Sequence, residues 1–309
     1  MNQASNKDGV TNSLKKSLTL YDVFSISTGA MFSSGFFLLP GIAAAQTGTS
    51  VILAYFVAGL MILPAMFSKA ELTSAMPKAG GSYYFIERAM GPLMGTIGGL
   101  GTWLSLVFKT AFALIGMGAY LAIFVELPVK PLAIGLTIAF MALNVVGAKE
   151  SSQLQRWLVT VLLAVLGFFI AQGLYFVAGR PEATQTLSEM GPFFRSGVEG
   201  FMGTVGLVFV SYAGLTKVSS VSEEVENPDR VIPLGMLLSI SVATTVYCIG
   251  VAVMMWVLDP AVFKSDLTPV ASAAAVLFDW MPEGLGVGLA VTAAVAAFAS
   301  TGNAGIMSA

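Results

Sequence analysis

Apolar runs of about twenty residues, each long enough for a membrane-crossing helix, follow one another from residue 20 to the end of this chain. No other feature narrows its fold so far. Of its 309 residues, 56% are hydrophobic and 10% charged, with a mean hydropathy of +0.83. An ordinary soluble domain is about 25% charged, so this chain lacks the polar surface to cover a core in water. It reads as an all-α polytopic membrane protein. Eight spans are expected, at 20–46, 50–74, 94–124, 131–147, 156–178, 198–222, 235–258 and 284–309, with nearly all the charge between them.

Composition also excludes several functions. The net charge is −2 and no basic stripe is present, so a nucleic-acid partner is not expected. The chain has no histidine and one cysteine, Cys248 inside an apolar run, which argues against a metal centre, a cofactor or a Ser-His-Asp hydrolase. No paired intramembrane carboxylates or nucleophile–base pair suggest an enzyme. Residues 1–18, opening "MNQASNKDGVTNSLKKS", are too polar and too long for a cleavable signal and are expected to form a cytoplasmic tail. With that end inside, cytoplasmic segments hold Lys7, Lys15, Lys16, Lys69, Lys78, Arg88, Lys149, Arg156, Lys217 and Arg230. External segments hold Lys130, Arg180, Arg195 and Lys264, and this ten-to-four imbalance favours the N-terminus inside.

The remaining cation is Lys109, in "WLSLVFKTAFAL" (Trp103–Leu114). It lies about 24 Å along the third span, near mid-membrane, and is the one ionisable residue expected deep in any span. A lysine there costs about 2.5–3.5 kcal/mol on insertion scales. Three roles compete: a structural lysine on broken-helix carbonyls, a coupling residue that releases a proton or replaces a sodium ion, or a direct contact to an acidic substrate. If Thr110 faces a pocket, Lys109 points about 100° away, towards neighbouring helices.

Span one, "SISTGAMFSSGFFLLPG", and span six, with Ser211-Tyr212-Ala213-Gly214, both carry small residues where a helix should be continuous. Small residues can simply let helices pack closely. They can also mark unwinding, which at Ser33-Ser34-Gly35 would expose N–H groups at the start of a half-helix. Two interrupted spans five apart point to inverted repeats with a midplane site. Such a site offers N–H groups to a carboxylate and freed carbonyls to an ammonium, the two groups shared by every α-amino acid.

Four segments carry a family resemblance. "GAMFSSGFFLLPG", "MPKAGGSYYFIERAMGP" (Met76–Pro92), "LNVVGAKESSQLQ" (Leu143–Gln155) and "SYAGLTKVSSVSEEVENPDRVIP" (Ser211–Pro233) resemble, in order, motifs of the amino acid–polyamine–organocation (APC) permeases. The resemblance implies a five-plus-five inverted-repeat transporter fold with helices one and six broken. The first repeat would be 19–178 and a partial second repeat 198–309. The family usually has twelve helices and this sequence stops inside helix eight, so an incomplete second repeat and a fragment of a longer product are expected.

By position, the resemblance assigns Ser33, Ser34 and Gly35 to the substrate carboxylate and the carbonyls of Met31, Val210 and Ala213 to its ammonium, with Tyr212 and Gly214 in the second break. Thr110 falls where arginine-exchanging relatives place a polar selector. Val210 replaces their gating tryptophan and Thr216 their acid, which favours a neutral substrate. Ser300 and Thr301 are candidate cation ligands between helices one and eight. Glu223, Glu224 and Glu226 are either an inner gate or a solvated charge run, while Pro77, Gly80, Gly81 and Tyr83 are expected to shape the loop after helix two. The implied protein is a secondary transporter in the plasma (inner) membrane, moving an amino acid with a proton or sodium ion, or by exchange, among membrane lipid. The alternative is a membrane sensor that binds an amino acid without moving it.

Overall fold

The computed structural model describes residues 16–308 apart from 79, 126–127, 147 and 181–190. Residues 1–15 of the expected tail, with Lys7 and Lys15, therefore lie outside the described residues, as do the side chains of Lys149 and Thr216. Helices dominate. The first expected span is three pieces, α1 (Leu20–Met31), α2 (Ser34–Phe37) and α3 (Leu39–Thr47). α4 (Val51–Met61) and α5 (Leu63–Ala75) form the second, and a short α6 (Ser82–Met90) lies in the loop after it. Then come α7 (Pro92–Leu121), α8 (Val129–Val146), α9 (Ala148–Ala178) and α10 (Gly197–Phe209). α10 runs directly into a 3₁₀ segment, Val210–Glu224. α11 (Pro228–Val257), α12 (Pro260–Ser265), α13 (Pro269–Leu277) and α14 (Leu285–Ser308) complete the described chain.

Six helical stretches among the described residues are long and apolar enough to cross a membrane, with Lys130–Val146 a shorter apolar helix. Eight were expected. The first is cut into pieces too short to count alone, and the fourth falls short in length. The segment after α11, read as a plain loop, folds into α12 and α13. Each has proline in its first turn, where the missing N–H costs nothing.

α1 sits at the centre, with nine of its twelve residues buried and packed against α9, α11, α14 and the 3₁₀ segment. That is why its polar residues need partners. Its entry is fixed twice. Ser17 and Leu18 donate N–H bonds to the Glu224 carbonyl, each 2.9 Å, and Glu226 N–H returns one to Leu18 at 2.9 Å. The acidic loop after the 3₁₀ segment thus holds the start of helix one through its backbone. Asp22, fully buried, accepts from Thr19 N–H at 2.7 Å in a capping box and pairs with Arg156 of α9.

Removing one partner of a buried ion pair strands the other. Arg156 is 36% exposed, so solvent screens part of the loss. Arg156→Leu should therefore lower unfolding stability by about 2 kcal/mol, below the full buried-pair penalty. Thermal unfolding of Asp22→Asn, Arg156→Leu and the double variant checks this. The double should lose less than the sum of the singles.

Candidate functional site

The break in helix one follows from its backbone. Phe32 N–H still reaches the Thr28 carbonyl at 3.1 Å, but Ser33 leaves helical conformation at φ −160°, ψ −125°. The next N–H groups to be taken up are those of Phe36 and Phe37, both by the Ser33 carbonyl, at 3.2 and 3.0 Å. The N–H groups of Ser33, Ser34 and Gly35 consequently have no acceptor among the described residues, and the carbonyls of Gly29, Ala30, Met31 and Phe32 lose their helical donors.

Side-chain hydroxyls from other helices take over most of those carbonyls. Thr301 Oγ1 donates to Gly29 and Phe32 at 2.9 and 3.2 Å, and Tyr247 Oη to Met31 at 2.8 Å. Just beyond the break, Tyr55 Oη donates to Gly35 at 2.6 Å and Tyr120 Oη to Phe37 at 2.7 Å. Tyr212 Oη in turn holds the Tyr55 carbonyl at 2.9 Å. These tyrosines pack edge and face with Phe32, Phe36, Phe37 and Phe298. None of Tyr55, Tyr120 and Tyr247 was singled out in the sequence; each reads as one more aromatic in an apolar run. The Ala30 carbonyl has no such donor among the described residues.

Span six does not unwind at Ser211-Tyr212-Ala213-Gly214. It tightens into the 3₁₀ run from Val210, with Val221 non-helical inside it. Runs of this type beyond three or four residues are uncommon and mark strained or functional stretches. Here the run brings the two interrupted spans together. A β-carbon on Gly214 would overlap the Ala30 carbonyl, and one on Gly35 would overlap the Ser211 side chain. The Ser211 hydroxyl is buried beside Gly35 with no partner among the described residues. Unpaired amides, one unpaired carbonyl and one unpaired hydroxyl therefore meet at a single junction.

Lys109 reaches that junction. Its ammonium lies 3.5 Å from the Val210 carbonyl, one of the three acceptors expected for a substrate ammonium. Of the other two, Met31 already receives Tyr247, while Ala213 lines a cavity of about 1140 Å³. Thr110 packs against Gly305 of α14. Lys109, not its neighbour, thus contacts span six, at the start of its 3₁₀ run, while α7 presents Thr110 to α14.

Two expectations about charge need correction. Lys217, counted among the loop cations, is 4% exposed, with its ammonium 3.5 Å from the Thr301 carbonyl. With Lys109 and the fully buried Asp22, it means that Lys109 is not the one deep ionisable residue. Lys217 falls inside the expected span 198–222, near its end, and is buried because the 3₁₀ segment packs there against α14. Ser300 and Thr301 are both engaged: Ser300 Oγ accepts from Gln155 Nε2 at 2.6 Å, and Gln155 also donates to the Ser25 carbonyl at 3.3 Å. The Gln155 amide thus occupies the space between α1 and α14. In the loop after α5, Gly81 packs against Ser219 and Ser220, and the Glu87 carboxylate beside exposed Tyr83 pushes that phenol above its ordinary range.

The sequence matches the amino acid permease family over residues 18–309. The chain belongs to that family, within the APC superfamily, whose members are permeases and not enzymes. It is 29% identical over 280 residues to the branched-chain amino acid permease BcaP of Bacillus subtilis (strain 168), covering 84% of this chain and 58% of that protein. It is 28% identical to cationic amino acid transporter 1 of Arabidopsis thaliana (86% and 47% covered). With the chloroplastic cationic amino acid transporter 7 of the same plant it shares 27% (89% and 50%). The chain thus spans about half the length of these relatives. Family and helices together make it a multi-pass membrane protein.

Two variants test the junction. Tyr247→Phe leaves the Met31 carbonyl unpaired and should cost about 1–3 kcal/mol of stability. Gly214→Ala puts a methyl into the Ala30 backbone, which cannot rotate away, and should cost about 1–3 kcal/mol and abolish ligand binding. Thermal unfolding with and without ligand reads both.

Proposed function

We propose that the protein is a secondary transporter that moves an amino acid across the plasma membrane by alternating access, with its N-terminus in the cytoplasm. One observation carries the reading: the unpaired N–H groups of Ser33-Ser34-Gly35 lie on the same junction as the unpaired Ala30 carbonyl and the Val210–Gly214 turn. Donors on one side and acceptors on the other suit a carboxylate and an ammonium one carbon apart. The N-terminal end of a half-helix adds its dipole to the carboxylate.

The substrate is a neutral amino acid. Lys109 and Lys217 are two cations at the junction with no carboxylate paired to either among the described residues, so a cationic side chain meets repulsion. The name of BcaP refers to branched-chain amino acids, which agrees; the plant relatives are named for cationic ones. Transport is proton-coupled or exchange. Lys109 is the coupling group, because its ammonium occupies the Val210 carbonyl that the substrate's ammonium would use. Arrival of substrate displaces it from that carbonyl, which ties the position of the lysine's charge to occupancy of the site.

Proteoliposomes loaded with leucine should show counterflow of labelled leucine, competed by neutral amino acids but not by lysine. Binding without counterflow would replace the carrier by a sensor. In the same vesicles Lys109→Met should lose dependence on an imposed pH gradient, and unchanged dependence would remove the coupling role.

A further inference from the structure

We propose that the cavity lined by Lys69 and Lys217 is an anion-binding site for a small carboxylate or an inorganic anion, adjoining the backbone site at the helix breaks. Lys217 is 4% exposed and makes no ion pair with any carboxylate among the described residues. Its recorded acceptor is the Thr301 carbonyl at 3.5 Å, a long contact for an ammonium. Lys109 is close enough to repel it. A buried ammonium so placed calls for a counter-anion, and the cavity gives one a way in.

The cavity of about 1140 Å³ reaches Lys217; among the described residues that line it, Lys69 and Lys217 are the charged ones and none is Asp or Glu. Ser82, Ser219 and Ser220 bring hydroxyls to the same lining. Gly81 seats the turn before α6 directly against Ser219 and Ser220, so the serines of both segments are held together. Ammonium and hydroxyl donors without a competing acid are the chemistry that recognises a carboxylate or halide. The volume accommodates a molecule of amino-acid size. Ala213 of the 3₁₀ segment and Lys217 line this cavity together, so the site adjoins the junction of Ser33–Gly35 and Ala30, while Lys69 reaches it from α5, outside that junction.

The test uses the purified protein in lipid nanodiscs, titrated with glutarate, which has two carboxylates and no amine, and separately with chloride, following thermal unfolding and binding heat. Saturable glutarate binding is expected. It should weaken about tenfold in Lys217→Met and in Lys69→Met, and recover in Lys217→Arg. Leucine binding to Lys69→Met should be unchanged. Saturation by glutarate alone assigns the site to carboxylates, and saturation by chloride with the same lysine dependence assigns it to inorganic anions. No saturable response to either anion overturns the proposal, as does undiminished binding in Lys69→Met, which decides the matter even if Lys217→Met fails to fold. Absence of leucine binding would count against the transporter reading and leave this site standing.

Discussion

Everything in this structure depends on how the backbone of a broken helix is satisfied where water is scarce. Interrupting helix one after Phe32 strips helical donors from four carbonyls and acceptors from three N–H groups. In hydrocarbon each unpaired group costs several kcal/mol, so a break survives only if the surroundings supply partners. Thr301 and Tyr247 do this for three of the four carbonyls, and Tyr55 and Tyr120 hold the next turn. These hydroxyls come from α14, α11, α4 and α7, so the packing of four helices is tied to one interruption. What is left unpaired is as informative. The three amides and the Ala30 carbonyl are the groups that a zwitterion would complete.

The same reasoning explains why so few charged residues are needed. In the proposed site a carboxylate would be held by amides and a helix end and an ammonium by carbonyls, so the protein's own charges are left for other ends. Asp22 is neutralised by Arg156 across α1 and α9 and anchors the helix whose other end is open. Lys109 and Lys217 have no such partner among the described residues. Both rest on backbone carbonyls, Lys109 on Val210 at the start of the 3₁₀ segment and Lys217 on Thr301 of α14. Two unneutralised cations beside the proposed site would disfavour a further cation there and leave a demand for negative charge.

Much of this was legible in the residues. Ser33-Ser34-Gly35 marks the first break because small residues and a following proline are poor helix formers, and the break lies there. Lys109 stands out because nothing else in its run is charged. Other features were not legible. Tyr247 and Tyr55 look like any membrane aromatic until the carbonyls they hold are seen. Lys217 lies near the end of span six, where a cation reads as facing the cytoplasm, and only the packing of the 3₁₀ segment against α14 buries it. Gln155 reads as a helix-end polar residue until its amide is found between Ser25 and Ser300.

The sequence by itself determined the solvent, the helical class, the place where helix one must fail and the family, because each of these depends on local composition or on motifs contiguous in the chain. The tertiary structure decided which orphaned carbonyls are closed by hydroxyls and which stay open. It also decided that Lys109 reaches the Val210 carbonyl while Thr110 meets Gly305, and that Gly214 meets Ala30. Those outcomes depend on side chains 100 to 270 positions apart being brought within hydrogen-bond reach, which no local pattern encodes.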